Sequence, residues 1–188
     1  MEEIERLRQE VEELQRQLRH ETLRCIELER RCALLEKLAV RDPLTGLNSE
    51  SYLHARVREE IERSIRYPAA TSLVTLCVRQ EQAEAMPRLG QRIAGELRAT
   101  DQVFKLSDHG LALLLIETPE EGAHHVLKRL RDELEQFVKG FGYTVTTFPV
   151  HANLADDFIR LAMERHRELT RMMSTDNTAF SSQPVFAH

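Results

Sequence analysis

This sequence has neither a long apolar run nor an excess of basic residues. No stretch approaches the roughly 20 apolar residues that cross a bilayer, and the acidic, arginine-containing N-terminus does not resemble a signal peptide. With 26 basic against 31 acidic residues the net charge is -5. The charges are interspersed, which argues against a groove for nucleic acid or an anionic membrane surface. We therefore expect a soluble, cytoplasmic protein with no nucleic-acid partner and no membrane insertion.

Cysteine is also scarce, with only Cys25, Cys32 and Cys77 in 188 residues. Three cysteines are too few for a disulfide framework, and none stands at a Cys-x-x-Cys or Cys/His spacing typical of zinc. The sequence therefore predicts no metal site and no cofactor. Its length has room for one ordinary domain and an appendage.

Glycine and proline are absent before Pro43, which favours a long helix over residues 1–40. Apolar residues recur there every three and four positions, as in the heptads of a coiled coil. The a positions are Ile4, Val11, Leu18, Cys25, Cys32 and Ala39, and the d positions are Leu7, Leu14, Glu21, Leu28 and Leu35. A helix packed on its own domain would have a wider apolar face than this narrow seam. The pattern indicates a coiled-coil dimer.

The branched residues Ile4 and Val11 at a positions, with leucine at d, favour a parallel two-stranded coil. In that arrangement each g residue faces the e residue five positions later in the partner. The resulting pairs are Glu3 with Arg8, Arg24 with Glu29, and Arg31 with Glu36, all of opposite charge. The charges therefore agree with a parallel homodimer through residues 1–40.

The middle of the seam is imperfect, because Glu21 occupies a d position and Cys25 and Cys32 occupy a positions. An imperfect seam could let the helices slip or rotate as a signal passes. The two cysteines could instead form a redox lock, since a positions of a parallel dimer approach each other. A third interpretation is that cysteine is tolerated there as a small apolar residue.

A β-hairpin is expected after the charged turn that holds Arg98 and Asp101. A short apolar run, Val103 to Leu106, is followed by the polar break 107–110 and the wholly apolar run from Leu111 to Ile116. The second run has no polar alternation, so we expect a strand that is covered on both faces.

The stretch Asp42-Pro43-Leu44-Thr45-Gly46-Leu47, directly after a coiled coil, resembles the entry to a GGDEF domain, the bacterial diguanylate cyclase module. The pattern that follows is similar to this family as far as Met173. The expected helices span 49–66, 119–137 and 155–173, one more helix ends in Arg98-Ala99-Thr100-Asp101, and strands cover 72–78 and the residues up to Thr147-Phe148-Pro149. The resemblance implies an α+β, nucleotidyl cyclase-like domain at 41–173, with a mostly antiparallel central sheet flanked by helices. The tail 174–188 has turn formers and no periodicity, which predicts disorder.

The chain departs from the family at the catalytic positions. The family's hairpin tip has two glycines that let nucleotide phosphates approach and acidic residues that bind divalent metal. The same five places hold Ser107, Asp108, His109, Gly110 and Leu111. The family's metal-binding aspartate at the end of the first strand falls at Cys77, and Arg79 stands where a second aspartate is usual. The following segment also looks shortened. We therefore expect no diguanylate cyclase activity.

The family's product-binding pattern is kept. In the family an Arg-x-x-Asp that ends five residues before the hairpin tip binds cyclic di-GMP, and Arg98 and Asp101 have this spacing. A second family arginine falls at Arg129, with Lys128 and Arg131 as neighbours. Arginine can bind a phosphate or the Hoogsteen edge of guanine, and a carboxylate can accept from guanine N1 and N2. The alternative is that Arg98 is a cation near a helix end and Asp101 a turn former.

These observations predict a catalytically inactive cyclic di-GMP receptor that dimerises through its coil and signals to a protein partner. The alternative is a scaffold that binds no nucleotide, and a residually active or GTP-binding domain is a third possibility. The adjacent His124 and His125 do not have metal-binding spacing and are interpreted as solvated helix residues.

Overall fold

The structure is a computed structural model that describes residues 1–38, 40–175 and 185–186. The chain divides into two compact units, Met1–Ala39 and Val40–His188. None of the helices in the described ranges is both long enough and apolar enough to cross a membrane.

The first unit is one helix, α1, which spans Glu2–Leu38. The expected long helix is therefore present, and it begins and ends within two residues of the predicted bounds. Ala39, the last expected a position, lies outside the described residues. Seven apolar residues of the a and d seam are 51–69% exposed on this single chain: Ile4, Leu7, Val11, Leu14, Leu18, Leu28 and Leu35. A parallel dimer through this seam stays a prediction.

The second unit is an α+β domain, as predicted. Its helices are α2 (Glu50–Arg66), α3 (Met86–Glu96), α4 (Glu120–Phe137) and α5 (Ala155–Thr175), and a 3-10 helix covers Gln80–Ala85. Its strands are β1 (Thr71–Val78), β2 (Gln102–Ser107), β3 (Gly110–Leu115), β4 (Phe141–Phe148) and β5 (Val185–Phe186). The sheet order is β2-β3-β1-β4-β5, antiparallel except for the short β4–β5 pair.

Helices cover both faces of the sheet. Since successive side chains of a strand point to opposite faces, a central strand contributes to a core on each side. In β3, Leu111, Leu113 and Leu115 pack into the core that also holds α3 and α4 residues. Ala112 and Leu114 between them pack on the opposite side, with residues of α2 and α5. All six residues of β3 are buried, which confirms the strand that was expected to be covered on both faces. The hairpin therefore presents its tip from a rigid element.

The segment from Asp42 to Asn48 folds into a turn that is fixed by its own polar groups. The Asp42 carboxylate accepts from the Thr45 amide at 2.8 Å and the Thr45 hydroxyl at 2.6 Å. Burial alone would raise the pKa of Asp42, but these hydrogen bonds and the Lys105 ammonium outweigh it, so the pKa is lowered. Gly46 takes a positive φ of 69°, which glycine adopts without strain. Asn48 then bridges in parallel to Phe104 of β2, so this turn covers one edge of the sheet.

Two predictions at element ends are corrected by the structure. α3 ends at Glu96, so Arg98 to Asp101 lie in a turn after the helix and not in its last residues. The tail predicted to be disordered includes two ordered pieces: α5 continues to Thr175, and Val185–Phe186 pair with Gly142 and Tyr143 of β4. That pairing uses backbone groups on the outer edge of β4, which no local sequence pattern reveals. The rest of the tail lies outside the described residues.

Candidate functional site

The turn between α3 and β2 positions Arg98 and Asp101 together. The Asp101 carboxylate accepts from the amide of Arg98 at 3.3 Å and from the amide of Ile116 at 3.2 Å. The Asp101 amide in turn donates to the Arg98 carbonyl at 3.0 Å. These bonds fix the turn against the end of β3. The Arg98 side chain is exposed, and no acidic side chain of the described residues is within ion-pair distance of it.

Arg129 reaches the same place from α4. Its guanidinium donates to the carbonyl of Glu96, at the end of α3, at 2.9 Å. Arg98, Asp101 and Arg129 together line a cavity of about 390 Å³ with the first turn of α4. That volume is at the lower end of the range of about 300–1,000 Å³ for small-molecule sites. The three residues chosen from sequence spacing are thus brought together from two separate segments.

Arg131 and Lys128, the neighbouring cations of α4, do not line this cavity. Arg131 lies near Tyr143 on β4, where its charge lowers the pKa of a phenol that burial raises overall. The position of the family's second arginine, counted along this sequence without gaps, therefore falls on the arginine of α4 that faces the Arg98 turn.

A second cavity, of about 610 Å³, adjoins the first. The two share Arg98 and Glu117 in their linings. Glu117 has a positive φ of 50°, an unusual conformation for a residue with a side chain. Its carboxylate accepts from Arg63 at 3.1 Å, and Arg63 also donates to the buried Glu60 at 2.7 Å. This ion-pair group holds Glu117 at the border between the cavities.

The hairpin tip carries one exposed acid. Asp108 is 84% exposed in its side chain, and its carboxylate lies 3.1 Å from the Lys105 ammonium. Lys105 is also 3.5 Å from Asp42, so one ammonium stands between two carboxylates. The Asp108 carboxylate is thus paired with a cation of its own hairpin.

The rest of the tip is closed by α5. A Cβ on Gly110 would lie 2.8 Å from both His166 Nε2 and Ser107 Oγ, so His166 packs directly on the tip. His166 is buried, and burial together with the neighbouring His109 lowers its pKa to about 4. Within the described ranges, neither His166 Nδ1 nor Ser107 Oγ has a hydrogen-bond partner.

The end of β1 offers a thiol where the family has a metal-binding carboxylate. Cys77 is fully buried beside Leu169 and Met173 of α5, and burial raises the pKa of its thiol. Arg79, two residues later, lines the small cavity of about 150 Å³ at this place. A protonated thiol and a guanidinium do not fit Mg²⁺, which requires hard oxygen ligands. In the part of the chain that the structure describes, no three His, Cys, Asp or Glu side chains are grouped to hold a metal.

Sequence reasoning missed His125 as a site residue. It was interpreted as a solvated helix residue with His124, and the two do diverge. His125 lines the Arg98 cavity, whereas His124 contacts the Tyr143 ring with centroids 6.1 Å apart. The signal was the spacing of four between His125 and Arg129, which puts both on one face of α4. Glu117 had no comparable signal, because its role depends on a contact with Arg63, 54 positions away.

Sequence similarity to known proteins is low. No protein-family profile matches this chain. The uncharacterized membrane protein YdaK of Bacillus subtilis strain 168 is 27% identical over an alignment of 121 residues, and the match covers 58% of this chain and 43% of that protein. The chain therefore spans less than half the length of this curated relative.

Solved structures agree in fold at low identity. The diguanylate cyclase SiaD from Pseudomonas aeruginosa, solved with its activator SiaC, superposes with a TM-score of 0.64 at 23% identity, over 97% of this chain and 75% of SiaD. A microbial GGDEF domain solved with cyclic di-GMP gives a TM-score of 0.61 at 17% identity, over 73% of this chain and 94% of that domain. The second unit therefore has a GGDEF-like fold.

Proposed function

We propose that this chain is a catalytically inactive GGDEF-like receptor for cyclic di-GMP that dimerises through α1 and signals to a protein partner. The observation that carries the proposal is the shared cavity of Arg98, Asp101 and Arg129. A GGDEF domain of the same fold has been solved with cyclic di-GMP, and SiaD has been solved with a protein activator.

The chemistry of the cavity suits a dinucleotide with two phosphates. Arg98 offers a planar fork of donors with no competing ion pair, and such a fork binds phosphate or the Hoogsteen edge of guanine in bidentate fashion. Arg129 keeps further N–H donors beside the one that it gives to Glu96. The first turn of α4 adds backbone amides at the positive end of a helix dipole. His125 adds a ring that can donate to a phosphate.

Asp101 can take part while it holds the turn. Each carboxylate oxygen has more than one lone-pair site, so the bonds to the Arg98 and Ile116 amides leave acceptor capacity. That capacity matches the N1 and N2 hydrogens of guanine. Since the protein is acidic overall, binding must rest on these local arginines, and it should weaken as salt rises.

The proposal that the domain is inactive rests on the donor set at the tip. Two-metal phosphoryl transfer needs several hard oxygen ligands around one point. Here Cys77 is a buried thiol, Arg79 is a cation, and Asp108 is already paired with Lys105. Cyclic di-GMP is accordingly a regulatory ligand and not a product.

A nucleotide-independent scaffold is the second candidate, and one observation favours it. Both Asp101 oxygens already accept backbone hydrogen bonds, which is what a turn former requires. In that case the coil and the GGDEF-like domain would serve only to dimerise and to dock onto another protein.

Separate calorimetric titrations of the full chain with cyclic di-GMP and GTP decide between these functions. A receptor gives a saturable signal with cyclic di-GMP and none with GTP. Arg129→Ala should weaken binding, whereas Lys128→Ala, which removes a neighbouring cation outside the cavity, should not. No signal at tens of micromolar cyclic di-GMP would leave the scaffold as the function, and a GTP signal would indicate a residual cyclase or a GTP-binding domain.

A further inference from the structure

One face of α1 carries two exposed thiols. Cys25 and Cys32 are both free and exposed. They are seven residues apart, which is about two turns of an α-helix at 3.6 residues per turn, so they lie on the same stripe. That stripe is the a and d seam, in which the seven apolar residues from Ile4 to Leu35 are more than half exposed on the single chain.

The charges beside the seam indicate what covers it. Arg24 lies next to Cys25 on the g side, and its ion pair with Glu21 is long, with 3.9 Å between the guanidinium nitrogen and the carboxylate oxygen. Glu29 is on the opposite e side and is exposed. In a second copy of α1 in parallel register, each Arg24 faces the other copy's Glu29. A second copy is therefore the occupant whose charges match this face.

We propose that Cys25 and Cys32 are the sites of a symmetric intermolecular disulfide that locks two copies of α1 in parallel register. This rests on the dimer in the proposed function, but not on its ligand. In a parallel dimer each a residue lies beside the same residue of the other copy. In an antiparallel dimer centred on the seam, the two Cys25 residues would be about 16 Å apart along the axis, at 1.5 Å per residue. A disulfide requires Cα atoms within about 7 Å.

The reaction needs a two-electron oxidant such as hydrogen peroxide. One thiolate attacks a peroxide oxygen, which gives a sulfenic acid and, after protonation, one water. The thiol of the other copy then attacks the sulfenic sulfur, forms the S–S bond and releases a second water. Two thiols and one peroxide thus give one disulfide and two waters, and a dithiol reductant reverses the bond. Cys77 is not a candidate for this disulfide, because its side chain is fully buried.

A disulfide at Cys25 would lie in the weakest part of the seam. Glu21 is a d residue one turn before Cys25, so two glutamates meet across the seam in a parallel dimer, where like charges repel. With small cysteines on its C-terminal side, this is the weakest part of the seam. A disulfide at residue 25 holds the copies together where the reduced coil separates most easily. Oxidation thereby converts a dissociable dimer into a covalent dimer that stays joined until the disulfide is reduced.

The test is peroxide oxidation of the reduced full chain, followed by alkylation, non-reducing electrophoresis and peptide mass spectrometry. We expect a covalent dimer containing Cys25–Cys25 or Cys32–Cys32 peptides. Each single serine variant should still cross-link, and the double variant Cys25→Ser, Cys32→Ser, which keeps Cys77, should not. The unfolding temperature of the oxidised dimer should also become independent of protein concentration.

Four results would overturn the proposal. The double variant could cross-link as well as the native chain, or the peptides could join Cys25 to Cys32, which would refute the symmetric register. Light scattering could also show a dimer that gives no covalent product at complete oxidation, which would refute the disulfide and leave the dimer of the proposed function intact. A monomer by light scattering would refute both.

Discussion

Arg98 and Asp101 lie in the same turn, but they have different roles. Asp101 holds the turn through the amides of Arg98 and Ile116, whereas the Arg98 guanidinium is exposed and makes no ion pair with the acids of the described residues. Changing Arg98 should therefore affect the ligand alone, while changing Asp101 should affect both ligand and fold.

Arg98→Ala should lower affinity for cyclic di-GMP by about ten- to a hundredfold, because a charge-assisted contact contributes roughly 1.5–3 kcal/mol. Isothermal calorimetry measures the change. Arg88→Ala is the matched control, since Arg88 is an exposed arginine of α3 outside both cavities. An equal loss in the two variants would mean that overall charge, and not the site, governs binding.

Asp101→Ala should narrow the preference for cyclic di-GMP over cyclic di-AMP more than it weakens attraction to phosphate. It should also lower the free energy of unfolding by about 1–3 kcal/mol, because the Ile116 amide loses its acceptor. Urea unfolding and parallel titrations with the two dinucleotides give the two effects separately. Unchanged selectivity in a destabilised variant would assign Asp101 to the turn only.

His166 makes stability sensitive to pH. Its pKa is lowered to about 4 by burial and by His109, below the ordinary value near 6.5 that applies in the unfolded chain. Between these values the unfolded state binds the extra proton, so stability is complete above about pH 6.5 and falls as pH drops toward 4. From pH 7 to pH 5 the loss should be about 2 kcal/mol. The variant His166→Asn should not show this loss of unfolding free energy between pH 7 and pH 5, as measured by urea unfolding. If the variant and the native chain had the same pH dependence, the assignment to His166 would be wrong.

At the scale of elements, α1 has the pattern of a dimerisation helix. The full chain should be a dimer at micromolar concentration, and a chain that begins at Arg41 should be largely monomeric without ligand. Leu14→Glu, on the seam, should dissociate the full-length dimer. Leu23→Glu should leave it intact, since Leu23 is also exposed, at 67% against 58% for Leu14, but occupies an f position away from the seam. Light scattering distinguishes these results, and a monomeric native chain would remove the coil.

Catalysis would require ligands from both β1 and the hairpin tip. The chain should form no cyclic di-GMP from GTP, even with excess magnesium or manganese, because Cys77 and Arg79 replace hard oxygen ligands. The triple change Ser107→Gly, Asp108→Gly, His109→Glu should not rescue turnover, since the end of β1 is unaltered. Chromatographic detection of product above a blank without enzyme would contradict this prediction.

The sequence alone determined the features that depend on local pattern. Periodicity and apolar runs located α1, α2 and the β2–β3 hairpin, because the side chains that define a period are close in the chain. The resemblance to the GGDEF family located the other helices and strands, and it placed the end of α3 too late, since this helix ends at Glu96. The resemblance to the family, through the spacing of its product-binding motif, selected Arg98, Asp101 and Arg129. It could not place Val185–Phe186 on β4, since strand pairing joins backbone groups regardless of side-chain identity.

The tertiary structure fixes which of these residues meet. It brought Arg129 and His125 to the Arg98 turn, assigned both Asp101 oxygens to backbone amides, and placed His166 on Gly110. Apart from the Arg98–Asp101 bond within the turn, each contact joins residues that are 15 or more positions apart in the sequence, where local propensity carries no information. The directions in which side chains leave α4 and α5 are fixed by packing on the two faces of the sheet, and that packing is a property of the whole chain.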